Sequence, residues 1–212
     1  MSTKRNSTPK FRPPQFDKNQ ICIGVDEAGR GCLAGPVYAG AVIFKFDETS
    51  EDIRDSKQIS EIRREEIFEY ILSHHRVGIG VATVDEITKL NILGAALLAM
   101  KRAVESLEVS KAERLSGRVY VDGNQQIRGL TWPQTTIIGG DRHMKAIAAA
   151  SIVAKVSRDR EIRRLHEIYP EYGLAAHKGY GTEAHRSAIA KFGPLEIHRP
   201  TFAGVREYIG TR

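Results

Sequence analysis

The chain has 212 residues, 41% of them apolar, and a formal net charge of +6. That apolar share suffices for one large packed domain and argues against wholesale disorder. No run of about 18 apolar residues occurs, so no membrane-spanning helix is expected.

The elements can be read in chain order. Residues 1–20, with Pro9, Pro13 and Pro14 and five Lys or Arg against one Asp, read as a disordered basic tail. They lack the apolar segment of a secretory signal. Cys22 and Cys32 form no metal-ligand pattern, and two free thiols suit a reducing compartment, so a cytoplasmic protein is expected. Residues 21–26 and 37–46 are apolar strand candidates joined by a short Gly-rich turn, which predicts an antiparallel pair. Residues 47–59 are polar and loop-like. Ser60 caps a helix to about residue 74, with Ile62, Ile67, Phe68, Ile71 and Leu72 on its apolar side.

A third strand is expected over residues 77–83. Thr83 and Glu86 have capping-box spacing and open a short helix, and an apolar helix follows over residues 91–107. Short strands over residues 118–121 and 135–138 run into Asp122-Gly123-Asn124 and Gly139-Gly140-Asp141. A long helix is expected over residues 142–168, its centre dense in alanine, and Thr182 caps another to about residue 192. Strands and helices interleave, so the class is α/β with a mixed sheet.

Strand ends carry the candidate chemistry: Asp26 with Glu27, Asp122, and Asp141. Sites in α/β sheets form at strand ends. Carboxylates gathered there repel unless cations sit among them, and hard divalent ions take oxygen ligands. Two such ions suit phosphodiester hydrolysis. Each acid also has a plainer reading. Asp141 stands where a helix cap belongs, Asp122 suits a turn, and Asp26 and Glu27 point to opposite faces on an ideal strand. Gly29, Gly31 and Ala34 match a dinucleotide-binding spacing, but Pro36 and a strand follow where that motif needs a helix. Gly29-Arg30-Gly31 instead offers backbone N–H groups beside a guanidinium, a grip for phosphate or sugar oxygens. Residues 142–212 hold thirteen basic against seven acidic side chains, and residues 21–141 fourteen against eighteen. A basic surface beside an acidic pocket points to a polyanion, with Lys155, Arg158, Lys178, Arg186 and Lys191 as candidate contacts; some of these also read as plain helix-surface charges, Lys155 with Asp159 as an ordinary i,i+4 pair.

Together, DEAGRG at 26–31 followed by LAGPV, DSK at Asp55-Ser56-Lys57, VDGN at 121–124, GD leading into AAASIVAKVSRD at 140–159, and GYGT at 179–182 resemble the ribonuclease HII family from about residue 21 to 202. The resemblance implies a ribonuclease H-like fold: a central mixed sheet flanked by helices, with a small C-terminal helical part, over residues 21–212. It implies a monomeric endoribonuclease that cuts the RNA strand of RNA–DNA hybrids and nicks 5′ of ribonucleotides embedded in duplex DNA, leaving 3′-hydroxyl and 5′-phosphate ends. It implies that Asp26, Glu27, Asp122 and Asp141 hold two Mg²⁺ or Mn²⁺ ions. Gly29, Arg30 and Gly31 match the loop that reads the 2′-hydroxyl, Tyr180 the tyrosine against the following deoxyribose, and Lys57 a further substrate contact. The sequence departs from the family pattern at Gly139, where a lysine is usual, at Met144-Lys145-Ala146, and at Pro200-Thr201. Those departures leave all four acids in place.

Overall fold

The computed structural model describes residues 21–44, 53 and 59–210. The expectations for the basic tail and for Asp55-Ser56-Lys57 lie outside those residues. Five strands form one mixed sheet: β1 (Cys22–Ala28), β2 (Val37–Ile43), β3 (Arg76–Ala82), β4 (Arg118–Asp122) and β5 (Gln134–Ile137), in the order β3-β2-β1-β4-β5. β1, β2 and β3 are antiparallel neighbours, whereas β4 runs parallel to β1 and β5 parallel to β4. The expected hairpin is present. The expected mixed sheet has its parallel half on the side of the acids.

The helices are α1 (Glu61–His74), α2 (Val84–Glu105), α3 (Lys111–Ser116), α4 (Lys145–Ile168), α5 (Leu174–His177) and α6 (Glu183–Phe192). Among the described residues, none is long and apolar enough to cross a membrane. α2 covers one face of the sheet, packing Ala95, Ala99 and Ala103 on Val25, Ala39 and Val119. α4 and α1 cover the other through Ile147, Ala150, Val153, Ile67 and Phe68. Both helices come close because sheet glycines leave room. A Cβ at Gly24 would overlap the backbone of Ala146 in α4, and one at Gly80 the carbonyl of Ala99 in α2. The alanines of α4 meet the sheet from the other side of that contact. A third, smaller core joins Leu33 and Ala34 to Ile162, Tyr172, Leu174 and Ile189, which is the expected C-terminal helical part.

The expected boundary between two helices is present inside α2: Asn91, at φ 59° and ψ 172°, interrupts the helical backbone, and its side chain accepts from the N–H groups of Leu93 and Gly94. Three local expectations change. α3, capped by Ser110 and Glu113, was not foreseen, nor was the four-residue α5. Ile62 and Leu72 are exposed, because at 3.6 residues per turn Ile62 falls opposite the Ile67–Phe68–Ile71 stripe and Leu72 at its edge. The long helix starts at Lys145, not residue 142. Gly140–Arg142 forms a 3₁₀ turn entered through Gly139 at φ 64°, and Met144 is the N-cap, so Asp141 does not cap α4.

Candidate active site

β1 runs past Asp26 and Glu27 to Ala28 along β2, but its pairing with β4 stops at Val25↔Val121. Beyond that point the β4 side of β1 is open, and both acids border the gap. The two side chains still point to opposite faces of β1, as on an ideal strand, but both flank the same unpaired edge. Asp26 shares its face with Gly24 and so lies toward α4, where the Ser151 hydroxyl donates to it and the Glu27 N–H also donates, at 2.7 Å. Glu27 and Asp122 line a cleft of about 310 Å³ with Arg30, Asn124, Gln125 and Leu93 of α2.

Asp122 ends β4 and accepts from the Gly140 N–H at 2.7 Å. That bond ties the Gly140–Arg142 turn, and with it the buried Asp141, to the same sheet edge. Burial pushes the Asp26 carboxyl well above the usual carboxylate range, and the charges of Glu27 and Asp122 push it further. Glu27 is also raised, by burial first. Arg30 opposes this through its 3.1 Å ion pair, and Asp122 adds to it. Among the described residues no three acids form a ready-made ligand cluster. What the fold assembles is a mutually repelling set of carboxylates in which Asp26 is buried and Glu27 and Asp122 are partly buried. Their chemistry fits hard divalent cations, which would relieve that repulsion and take oxygen donors.

Gly29 and Gly31 have different reasons to be glycine. Gly29 is buried with φ +99°, and a Cβ there would stand 2.5 Å from Arg158 Cδ and closer still to Nε. Gly31 is exposed, and its added Cβ would meet only Tyr180, 4.0 Å from Cε1. A bridge between Cys32 and Tyr180, and the Leu33 N–H donating to Gly179 O at 2.8 Å, hold the two segments side by side. Tyr180 is 44% exposed. Thus Gly29-Arg30-Gly31 and Tyr180, far apart in sequence, form one wall that follows directly on Glu27.

Two buried arginines that sequence reading did not assign to this wall hold it in place. Arg199 donates to the carbonyls of Gly29 at 2.7 Å, Arg30 at 2.9 Å and Gly35 at 2.9–3.0 Å. Arg158 donates to Ala34 at 3.1 Å, Lys178 at 2.9 Å and Pro36 at 3.3 Å. Arg158 is therefore a brace, not a duplex contact, and this corrects the expectation. The signal was present: Arg158 lies on the same helix face as buried Ile162 and Leu165, at i+4 and i+7. For Arg199 only the His198-Arg199 dipeptide gave a hint. Two more of the expected duplex contacts are engaged within the fold. Lys155 pairs at 2.8 Å with buried Asp159, and Lys178 bonds Ala175 O at 2.8 Å and faces Glu61 at 3.6 Å. Arg186 and Lys191 remain exposed.

A mixed sheet whose central parallel strands carry acids at their ends, packed between helices, is the architecture of a ribonuclease H-like protein. The ribonuclease HII family model matches residues 23–205. Over 207 residues the chain is 47% identical to the ribonuclease HII of Synechococcus elongatus, covering 95% of this chain and 94% of that protein. It is 49% identical to the ribonuclease HII of Fusobacterium nucleatum over 182 residues, 85% of this chain and 84% of the relative. The solved ribonuclease H2 of Pyrococcus horikoshii superposes with a TM-score of 0.71 at 26% identity, over 89% of this chain and 97% of that one. The chain belongs to the ribonuclease HII family, and is thus a metal-dependent endoribonuclease of the ribonuclease H type.

Proposed function

We propose that the protein hydrolyses the RNA strand of RNA–DNA hybrids and nicks duplex DNA on the 5′ side of an embedded ribonucleotide, leaving 3′-hydroxyl and 5′-phosphate ends. The observation that carries the junction reading is the wall in which the Gly31 backbone stands beside the Tyr180 ring, directly after the acids. Only the 2′-hydroxyl separates RNA from DNA at a given nucleotide, and it is both donor and acceptor. At Gly31 no side chain stands between that hydroxyl and the backbone. The Tyr180 face suits the flat, unsubstituted edge of the next deoxyribose, and a 2′-oxygen there would crowd it. Arg30, half exposed and tethered to Glu27 at 3.1 Å, lies where a phosphate flanking the cut would pass.

Asp26, Glu27, Asp122 and Asp141 would hold two Mg²⁺ or Mn²⁺ ions, which supply Lewis-acid stabilisation of an in-line displacement at phosphorus. The protein's own part is geometric. The Gly140 N–H fixes an Asp122 oxygen and the Glu27 N–H an Asp26 oxygen, which sets the orientation of both carboxylates. Ser151 orients Asp26 from behind. The protein acts as a monomer, with Lys57, Arg186 and Lys191 as further duplex contacts.

The deciding assay is nicking of duplex DNA carrying one ribonucleotide, with Mg²⁺, with Mn²⁺ and with chelator, beside an all-DNA duplex. A metal-dependent nick 5′ of the ribonucleotide, absent from the control, is expected. Cutting of the hybrid but not of the single-ribonucleotide duplex would remove the junction reading.

A further inference from the structure

Behind Tyr180 lies a stack of histidines for which the reaction itself gives no use. His185 of α6 and His198 are buried with their Nε2 atoms 3.2 Å apart. The His177 ring stacks on His185 with centroids 4.4 Å apart. The backbone partners determine the protons. The Leu195 N–H donates to His198 Nδ1 at 2.9 Å, so the His198 proton sits on Nε2. His198 Nε2–H then donates to His185 Nε2, which leaves the His185 proton on Nδ1. That proton goes to the Tyr180 carbonyl, 2.9 Å away. Each neutral imidazole has one donor and one acceptor, and all four are used. Burial, the largest influence on both rings, lowers each to about 4, so both stay neutral under ordinary conditions. His177 completes the frame. It accepts from the Gly179 N–H at 3.3 Å and donates to Tyr172 O at 2.9 Å.

The next residue after His198 is Arg199, which grips the carbonyls of Gly29 and Arg30 on the opposite wall. One dipeptide thus reaches the Gly-Arg-Gly loop through Arg199 and Tyr180 through the two imidazoles. We propose that His198 and His185 form a directional relay that fixes the Tyr180 main chain and, with Arg199, sets the gap between the Tyr180 ring and the Gly31 backbone. They are positioning residues for substrate selection. The Tyr180 carbonyl also accepts from the Thr182 N–H at 2.8 Å, which ties it only to its own turn; an apolar pair of the same volume would fill the space but remove the donor that ties this carbonyl to α6 and His198. This inference rests on the reading of Tyr180 as the deoxyribose-facing residue.

The test uses two duplexes that differ only 3′ of the ribonucleotide at the cut: one continues as DNA, the other as RNA. The readout is the ratio of their kcat/KM values. His185→Leu is expected to lower the deoxy-over-ribo preference about tenfold, a change of about 1.4 kcal/mol. Within a Tyr180→Ala background the same substitution should leave the ratio unmoved, because the relay acts through that residue. His185→Asn, whose Nδ2 can donate to Tyr180 O, should keep the preference. His198→Asn, whose Oδ1 still accepts from Leu195 but whose shorter amide falls short of His185 Nε2, should lose part of it. These two variants carry the test if His185→Leu fails to fold. Equal ratios in His185→Asn and His198→Asn, or a fall in both substrates together with an unchanged ratio in His185→Leu, would overturn the proposal. If Tyr180→Ala itself keeps the ratio of the unmodified protein, the deoxyribose reading of Tyr180 is what has failed.

Discussion

Replacing Gly29 by alanine tests the wall and its brace together. The residue sits at φ +99°, where an L side chain costs about 1–3 kcal/mol. The new Cβ would lie 2.5 Å from Arg158 Cδ and closer still to Nε, and ordinary contact begins at 3.4 Å, so the side chain must retreat by at least about 0.9 Å. Arg158 is buried and anchored at three carbonyls by bonds of 2.9–3.3 Å, so a retreat of that size breaks at least two. Hydrogen bonds from a charged group contribute about 1.5–3 kcal/mol each, which puts the total at roughly 4 kcal/mol or more. Against a whole stability of about 5–15 kcal/mol that is a severe loss. For a chain of this size it corresponds to a fall in Tm of about 8–16 °C. Thermal melting and urea unfolding would measure it. Gly31→Ala is the companion, since its Cβ meets only Tyr180 at 4.0 Å. That variant should melt within about 0.5 kcal/mol of the unmodified protein while losing its preference for a ribonucleotide at the cut. In an Arg158→Ala background Gly29→Ala should cost only the backbone strain. A loss below about 1 kcal/mol for Gly29→Ala in the intact protein would refute the brace, since strain alone would then exceed the whole effect.

Three further outcomes are expected. Asp26→Asn should abolish cleavage yet raise Tm in chelator at neutral pH. Burial and the Glu27 and Asp122 charges lift the Asp26 pKa, so its ionised form destabilises the fold as pH rises from the ordinary carboxylate range through the raised value. Added Mg²⁺ or Mn²⁺ should raise the Tm of the unmodified protein more than that of the variant. Arg30→Ala removes the guanidinium that holds Glu27 down, so the acidic limb of the kcat/KM–pH profile should move to higher pH, whatever happens to KM. Glu86 and Glu113 behave oppositely. Arg102 holds Glu86 at about 2, and Arg76 holds Glu113 at about 2. Their contribution is present above the ordinary glutamate range and is lost as pH falls toward 2. Glu86→Gln and Glu113→Gln should therefore flatten the acid end of a stability–pH curve, measured by urea unfolding.

Much of the molecule was legible along the chain. Apolar runs placed the strands, Ser60 and Thr83 marked helix starts, and the separated motifs together identified the family. Two local readings failed for one cause. The plainer reading of Asp141 as a helix cap and the reading of Arg158 as a duplex contact each fit a local rule, cap or surface cation, that nothing local could overrule. The turn at Gly140 removed Asp141 from the cap position, and the approach of Ala34, Pro36 and Lys178 turned Arg158 inward.

By itself the sequence determined the class of fold, and it singled out four candidate acids and the chemistry they suit, because strand periodicity and carboxylate chemistry are local properties. Tertiary structure alone decided that Asp26 and Glu27 border one gap, since that depends on where β4 stops pairing with β1. It alone set Gly31 against Tyr180 and placed Arg199 and the histidine pair behind them, because each of those contacts spans well over a turn of chain and is made by backbone carbonyls that carry no sequence signature.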